Sequence, residues 1–524
     1  MTHTPHPGHR PALRVAALLA SGLALSLGAC ADSAPEPVRF SAVQPELFAD
    51  GGALTDAWAD FDLDGYPDRF VGFDGAPSRL YRNGGTVGFE DVASAVGLDV
   101  RRSVRSAAWG DFDADGDPDL FLGFAGAAPV TALYRNDAAE GAGPSRSGPA
   151  FTEMAADVGL RLEEGTTRQA AWIDFDEDGD LDLFLGMRDR ENRLFENRGP
   201  DGFVDVAGEV GLADPRRTVG ATWFDIGDGR LDLVVANMNG DPNALYLASA
   251  EGFAEALHWP AIRGGGRALG DEAQGTVRPC VVDYDADGDL DLSFANYGPN
   301  GLARRDGTEW TEVAARVGLA IDSRYDTCAW ADFDHDGSVD LYVNGTVGGG
   351  THYRDWLLRR EGGPVFIDVT PPEILELNAS HGATWVDFDL DGDLDLALAG
   401  AADDGMHHLM RNLLRPEYSW HSLQVRVVDG AGRATRQGSE VRLFAAGTDR
   451  VLGTRLVDTG SGYDAQSDLP VHFGVPGGQP VDVQVTVLAR GGRQTVLLED
   501  VDPREYRGAP LVVRVGEDGR LVNR

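Results

Sequence analysis

Trp109-Gly110-Asp111-Phe112-Asp113-Ala114-Asp115-Gly116-Asp117-Pro118-Asp119-Leu120-Phe121-Leu122-Gly123 sets carboxylates at positions 1, 3, 5 and 9 of a loop that starts at Asp111, with glycine at position 6. Carboxylates this close repel one another unless a cation lies among them. Hard divalent cations such as calcium take six to eight oxygens, and ligands at positions 1, 3, 5, 7 and 9 of one loop supply them. Gly116 permits the sharp turn that points those oxygens inward. A helix-loop-helix calcium site has a bidentate glutamate at position 12. Here that position is Leu122, inside the apolar run Leu120-Phe121-Leu122, which reads as a strand. The stretch is therefore a cation loop joining two strands.

The stretch recurs, with loop glycines at Gly65, Gly116, Gly179, Gly229, Gly288, Gly337 and Gly392. Six copies keep all four carboxylates. The expected ligands are Asp60, Asp62, Asp64 and Asp68, then Asp111, Asp113, Asp115 and Asp119, then Asp174, Asp176, Asp178 and Asp182. They continue with Asp283, Asp285, Asp287 and Asp291, then Asp332, Asp334, Asp336 and Asp340, then Asp387, Asp389, Asp391 and Asp395. Calcium at about six sites, in a structural role, is the expectation. Magnesium fits less well because it keeps its waters and demands octahedral geometry. The fourth copy, with Asp225, Asp228 and Asp232, is one residue short from Trp223 to Gly229 and carries Arg230 beside the site. It is expected to bind weakly or not at all.

Each repeat reads as four strands. One ends in the loop, a second follows it, and a third resembles L-Y-R-N, as in Leu80 to Asn83, Leu133 to Asn136 and Leu194 to Asn197. A fourth starts at an aromatic and ends in V-G-L, as in Phe89 to Leu98. Such a fourth segment already stands at Phe40, before any loop, and the last repeat lacks one. The segment from Val38 is thus expected to complete the last blade. That closes a ring and removes exposed sheet edges. The expected fold class is all-β, a seven-bladed β-propeller over 38–414 followed by a small all-β domain over 415–524.

The D-x-D-x-D-G-x-x-D units with their flanking aromatic and glycine pattern resemble FG-GAP/VCBS repeats, the type that forms the integrin α-subunit propeller. The resemblance implies that the calcium loops join the first two strands of each blade, on the face opposite the usual ligand-binding face. After position 415 the rhythm changes to strands at Leu423–Val428, Glu440–Phe444, Val481–Val487 and Leu511–Val515. Trp420 to Arg426, Ser461 to Gln466 and Val471 to Val475 resemble the ASPIC/UnbV domain. That domain follows a VCBS propeller in proteins similar to the cartilage acidic protein family. The stretch Thr435 to Ser439 departs from the pattern.

The 524 residues carry 85 acidic and 45 basic side chains, a formal net charge of −40. Such a surface excludes nucleic acid as a partner class. Positions 1–30 read as a lipoprotein signal peptide. Arg10 and Arg14 precede an apolar run from Ala16 to Leu27, and Leu27-Gly28-Ala29-Cys30 resembles a lipobox. Cys30 is then the lipidation site and membrane anchor, with 31–37 as linker. The expected location is the bacterial cell envelope, at the outer membrane or cell surface, with secretion as the alternative. Cys280 and Cys328 precede neighbouring loops, but their offsets differ by one residue. That places them on opposite strand faces, and two buried free thiols are the simpler expectation over a disulfide.

No G-x-S-x-G, H-E-x-x-H or P-loop occurs, and His407-His408 reads as a solvated pair. Basic residues gather before the innermost strands at Arg101, Arg102, Arg105, Arg168, Arg216, Arg217, Arg278 and Arg324, with His381 in the seventh copy. Of these, Arg105, Arg168, Arg278, Arg324 and His381 are expected to ring the channel mouth opposite the loops and hold an anionic ligand. The chain thus reads as a calcium-stabilised, non-catalytic binding or adhesion protein, a monomer recognising a protein or glycan. A polysaccharide lyase or hydrolase, or an envelope assembly scaffold, is the alternative.

Overall fold

The computed structural model describes residues 37–137, 151–348, 351–377, 381–402, 405–489, 492–516 and 518–522. The signal segment with Cys30, and all of the linker except Pro37, lie outside these. No helix among the described residues is long and apolar enough to cross a membrane.

Seven four-stranded antiparallel blades form a propeller. Blade 1 runs Ala53–Ala59, Asp68–Pro77, Arg79–Asn83 and Phe89–Asp91 from the channel outward. Blade 7 runs His381–Val386, Asp395–Gly400 and Leu409–Asn412. Its outer strand is Phe40–Ala42, with Phe40 paired to Asn412 and Ala42 to Met410. The N-terminal strand therefore closes the ring. Beside that closure the fully buried Arg69 donates to the carbonyls of His407 (2.9 Å) and Leu398 (2.9 Å) and pairs with Asp56 at 3.2 Å.

Two local expectations need correction. The V-G-L segments are not continuous strands. Phe89–Asp91 is a three-residue strand, and Ala93–Val96 is a single helical turn ended by Gly97 at φ 87°. Glycine adopts that left-handed cap without a Cβ clash, and Leu98 then drops into the core at 0% exposure. His407 is also not solvated. It is 0% exposed, with Nε2 2.7 Å from the Tyr81 hydroxyl and Nδ1 2.9 Å from the Asp50 carbonyl. Burial, then Arg69, pushes its imidazole down to about 3, so it is neutral.

The cores lie between blades, not within them. Ala57 and Ala59 of blade 1 pack with Trp109 of blade 2, whereas Trp58 packs with Val386 and Ala397 of blade 7. Counted back from the next loop, odd positions face the following blade and even positions the preceding one. This parity overturns the free-thiol expectation. Cys280, three before Asp283, faces blade 6; Cys328, four before Asp332, faces blade 5. Stacked sheets touch through opposite faces, so residues on opposite strand faces meet, and Cys280 and Cys328 form a disulfide with Cα atoms 6.3 Å apart. Under non-reducing denaturation, iodoacetamide should label neither. The Cys280→Ser/Cys328→Ser chain should lose about 2–4 kcal/mol in urea unfolding, given the long loop that the bridge closes.

The asparagine of L-Y-R-N fastens one blade to the one before it. Its N–H donates to the position-9 aspartate of its own blade (Asn83 to Asp68, 2.7 Å; Asn136 to Asp119, 2.8 Å). Its amide donates to the carbonyl that follows the first loop aspartate of the preceding blade (Asn83 to Phe388, 2.8 Å; Asn136 to Phe61, 2.8 Å). In blades 5 and 6, Arg305 and Arg360 make the same pair of contacts.

From Ser422 onward, two sheets enclose a second core that includes Val425, Val441, Val483 and Val513. One sheet orders Val471–Gly474, Ser422–Asp429 and Leu511–Val515. The other orders Val451–Leu456, Glu440–Ala445, Val481–Ala489 and Gly492–Val501. This sandwich lies on the loop face of the ring. Arg433 donates to the Ala114 carbonyl, Arg442 to that of Gly288, Gln424 to Asp387 and Ser422 to the Gly392 carbonyl.

Candidate functional site

Five loops share one hydrogen-bond pattern, and in the sixth both Asp283 carboxylate oxygens are buried without a partner. In the first, Asp60 accepts the N–H groups of Asp64 (2.9 Å) and Gly65 (2.9 Å), and Asp111, Asp174, Asp332 and Asp387 do likewise in theirs. In the Asp60, Asp111, Asp174 and Asp283 loops the position-9 carboxylate accepts the N–H of position 2, as Asp119 does from Phe112 at 3.1 Å. Position 4 is left-handed in all six, at Leu63, Ala114, Glu177, Ala286, His335 and Leu390, with φ between 57° and 62°. Such residues disfavour that region, and they keep it only where their surroundings over-determine it. The fourth-repeat loop lacks this residue and turns through Gly227 and Gly229.

Carboxylates converge at these loops. Oxygens of Asp60, Asp62 and Asp68 lie within 4.8 Å of one another, as do those of Asp111, Asp113 and Asp115, of Asp174, Asp176 and Asp182, and of Asp283, Asp285 and Asp291. Asp340 Oδ2, Asp395 Oδ2, Asp62 Oδ1 and Asp389 Oδ1 are buried without a hydrogen-bond donor. Buried carboxylate oxygens seldom stay unpaired. Such oxygens, at spacings suited to a hard cation, fit calcium. The fourth cluster, Asp225, Asp228 and Asp232, also converges. There, however, Arg493 of the sandwich stands 3.4 Å from Asp225, the position-1 carboxylate; the arginines beside Asp285, Asp334 and Asp389 pair with position 3.

Burial, with the neighbouring loop carboxylates adding to it, pushes Asp60 up to about 6, Asp111 and Asp174 up to about 7, and Asp68, Asp182 and Asp291 up to about 9. Groups raised in the folded state hold extra protons there. Their stabilising contribution is full below pH 4 and is lost as pH rises through about 6 to 9. In chelator the unfolding midpoint should therefore fall steadily from pH 5 to pH 9. With excess calcium the slope should flatten. A midpoint that climbs with pH in chelator contradicts this account.

The channel holds a feature that the sequence did not announce. The sandwich segment from Asp458 to Asp468 enters from the loop face and runs down the axis along blades 1 to 4; toward blades 5 to 7 it leaves a cavity of about 240 Å³ lined by Cys328, Ala329, Ala383 and Thr384. Ala465 and Gln466 pair in parallel with Ala107 and Ala108 of blade 2. Side chains continue the pairing on other blades. Gln466 accepts the Trp172 N–H (2.6 Å) and donates to its carbonyl (3.0 Å). Thr459 accepts the Trp223 N–H (3.0 Å) and donates to its carbonyl (2.7 Å). Ser467 accepts the Trp58 N–H at 3.1 Å, and the Asp468 N–H donates to the Trp58 carbonyl at 2.8 Å. The tip, Gly462-Tyr463-Asp464, reaches the far end of the inner strands.

That tip changes the reading of the basic ring. Arg168 pairs with Asp464 at 2.8 Å and donates to the Tyr463 hydroxyl. Arg278 is 1% exposed, donates to Gln169 and lies against Gly460. His381 is 7% exposed, lies tilted against Tyr463 with ring centroids 3.7 Å apart and sits 2.9 Å from Asp326. Arg278 and His381 are thus sealed under the tip and are not presented at an open mouth. Arg105 and Arg324 remain half-buried, the latter 4.9 Å over the Tyr297 ring. Arg216 and Arg217 are engaged by Asp214, Glu255 and Asp241. The one available signal for the tip was the Ser461 to Gln466 motif, whose small and polar residues suit insertion between strands.

A family model for the FG-GAP-like repeat matches residues 60–122, 174–235 and 283–343. The chain is similar to cartilage acidic protein 1 of Homo sapiens, 26% identical over 351 residues, covering 62% of this chain and 42% of the relative. The Mus musculus protein of that name is 27% identical over 324 residues, covering 58% and 39%. The chain spans about two fifths of the length of these relatives. A solved structure of BBS1N in complex with ARL6DN is similar at a TM-score of 0.44 and 8% identity, over 72% of this chain and 98% of that one. The chain thus carries FG-GAP-like repeats on a seven-bladed propeller.

Proposed function

We propose that this chain is a calcium-stabilised, non-catalytic binding or adhesion protein, held outside a bacterial cell through lipidated Cys30, with an ASPIC/UnbV-type sandwich after its propeller. The observation that carries the non-catalytic reading is the Asp458–Asp468 loop, whose tip seals Arg278 and His381 at the far end of the channel. We place recognition at the mouth and rim opposite the cation loops, which the sandwich meets at Ala114, Gly288 and Asp387. Binding energy at the six loops adds to folding stability, which suits a structural role for the ion.

The enzyme reading has one observation in its favour. Asp326 and His381 form a dyad beside Tyr463 and Arg168. Against it, His381 Nε2 is buried with no hydrogen-bond partner and no access for a substrate. A glycan and protein binding screen, run with a turnover assay on each hit, tests the proposal. Binding without turnover is expected, and cleavage of any bound glycan removes the non-catalytic reading. Cys30→Ala should release the protein from the membrane fraction, and a variant that stays bound removes the anchor.

A further inference from the structure

The mouth opposite the cation loops gathers positive charge on a chain of net charge −40. Its floor is the tip of the inserted loop, where Asp464 holds Arg168 at 2.8 Å. Around that floor stand Arg105, Arg188 and Arg324, all half-buried. Arg105 makes no side-chain hydrogen bond or ion pair among the described residues; after burial, Arg168 acts on it most strongly, ahead of Asp74, Asp464 and Asp326. Arg188 donates to Asn239 at 2.6 Å and feels both Arg168 and Arg217. Burial and these like charges press both guanidiniums below their ordinary range.

Fewer acids than arginines stand here: Asp464, Asp326 and Asp74 against Arg105, Arg168, Arg188 and Arg324. Asp464 is engaged by Arg168. Asp326 is engaged by His381 (2.9 Å) and Tyr297 (3.1 Å). Asp74 is exposed at the rim. Half-buried like charges repel unless an anion joins them, and guanidinium forks match a carboxylate in shape as well as charge.

We propose that this mouth is a composite carboxylate-binding site for an acidic glycan, with Arg105 and Arg188 as its ligands and the Tyr463–Asp464 tip as its floor. This deepens the binding reading above and rests on it. An acidic peptide is disfavoured by the same loop that builds the floor. Peptides bind sheets by adding a strand to a free edge, and the inner edges of blades 1 to 4, which carry Arg105 and Arg168, are taken by Ala465, Gln466, Thr459 and Ser467. Charge forks and the half-exposed Tyr297 ring remain, which suit a uronate's carboxylate and its C–H face.

The full chain in calcium is titrated by calorimetry with hexagalacturonate, with the same oligomer reduced at its carboxyls, and with hexaglutamate. Hexagalacturonate should bind, and more weakly as salt rises. Arg105→Gln/Arg188→Gln should weaken it at least about tenfold, the loss of one or more charge-assisted hydrogen bonds. Arg198→Gln, in the turn after the third strand of blade 3, should change nothing, and unfolding midpoints confirm that each variant is folded. Equal binding of the reduced oligomer, no binding of hexagalacturonate, an unaffected double variant, or tighter binding of hexaglutamate each overturns the proposal. If a screen returns a ligand that the double variant binds normally, the broader binding reading stands and this site falls. If it returns none, both fall.

Discussion

Chelation should lower the thermal unfolding midpoint by at least about 15 °C, the largest effect expected for this chain. At a free ion concentration one hundred times Kd, each filled site contributes about 2.7 kcal/mol. A domain's whole net stability is about 5–15 kcal/mol, so two or three filled loops already decide whether the ring persists. The loops are also poor at standing alone. Asp340 and Asp395 are buried with an oxygen unpaired, and six loops hold a non-glycine residue left-handed. Loop by loop, Asp174→Asn should remove part of the calcium response. Asp225→Asn should leave it intact, because Arg493 already stands beside Asp225 at 3.4 Å. An unchanged midpoint on chelation, or an equal effect from both substitutions, sinks the structural-calcium reading.

Gln466→Ala should cost about 3–5 kcal/mol in urea unfolding. The side chain is 0% exposed and bonds the Trp172 N–H and carbonyl and the Asp458 carbonyl (2.9 Å). Truncation leaves buried backbone groups unpaired at about 1–3 kcal/mol each, and it opens a void in the axis. Because the loop ties the sandwich to the ring, the variant should also be cut by protease within 458–468 while the blades stay resistant. Thr459→Val, which removes the matching bonds to Trp223, should act in the same direction. A cost under about 1 kcal/mol for Gln466→Ala would mean that the loop merely rests in the channel.

Much of the ring was legible in the chain itself. The recurrence of D-x-D-x-D-G marks each turn between first and second strands, because closely spaced carboxylates with a glycine suit little else. The orphan outer segment at Phe40 identified the closing strand, and it pairs with Leu409–Asn412. The later strands were also readable, since alternation reports which faces are buried. The site was less legible. The basic residues fall near the mouth, but Arg278 and His381 proved to be covered. The covering loop lies about 180 residues from Arg278 and about 80 from His381, and nothing local to either segment declares the contact.

The sequence by itself determined the number of blades, the place of each Asp-loop and the direction of ring closure, because these follow from short-range spacing. Only the tertiary structure decided the Cys280–Cys328 bridge, the Asn83-type fastenings between blades, the burial of His407 and the entry of Asp458–Asp468 into the channel. Strand periodicity says which side chains share a face. Which faces then meet depends on how whole sheets stack, and stacked blades join opposite faces, so residues that a single strand separates are brought together.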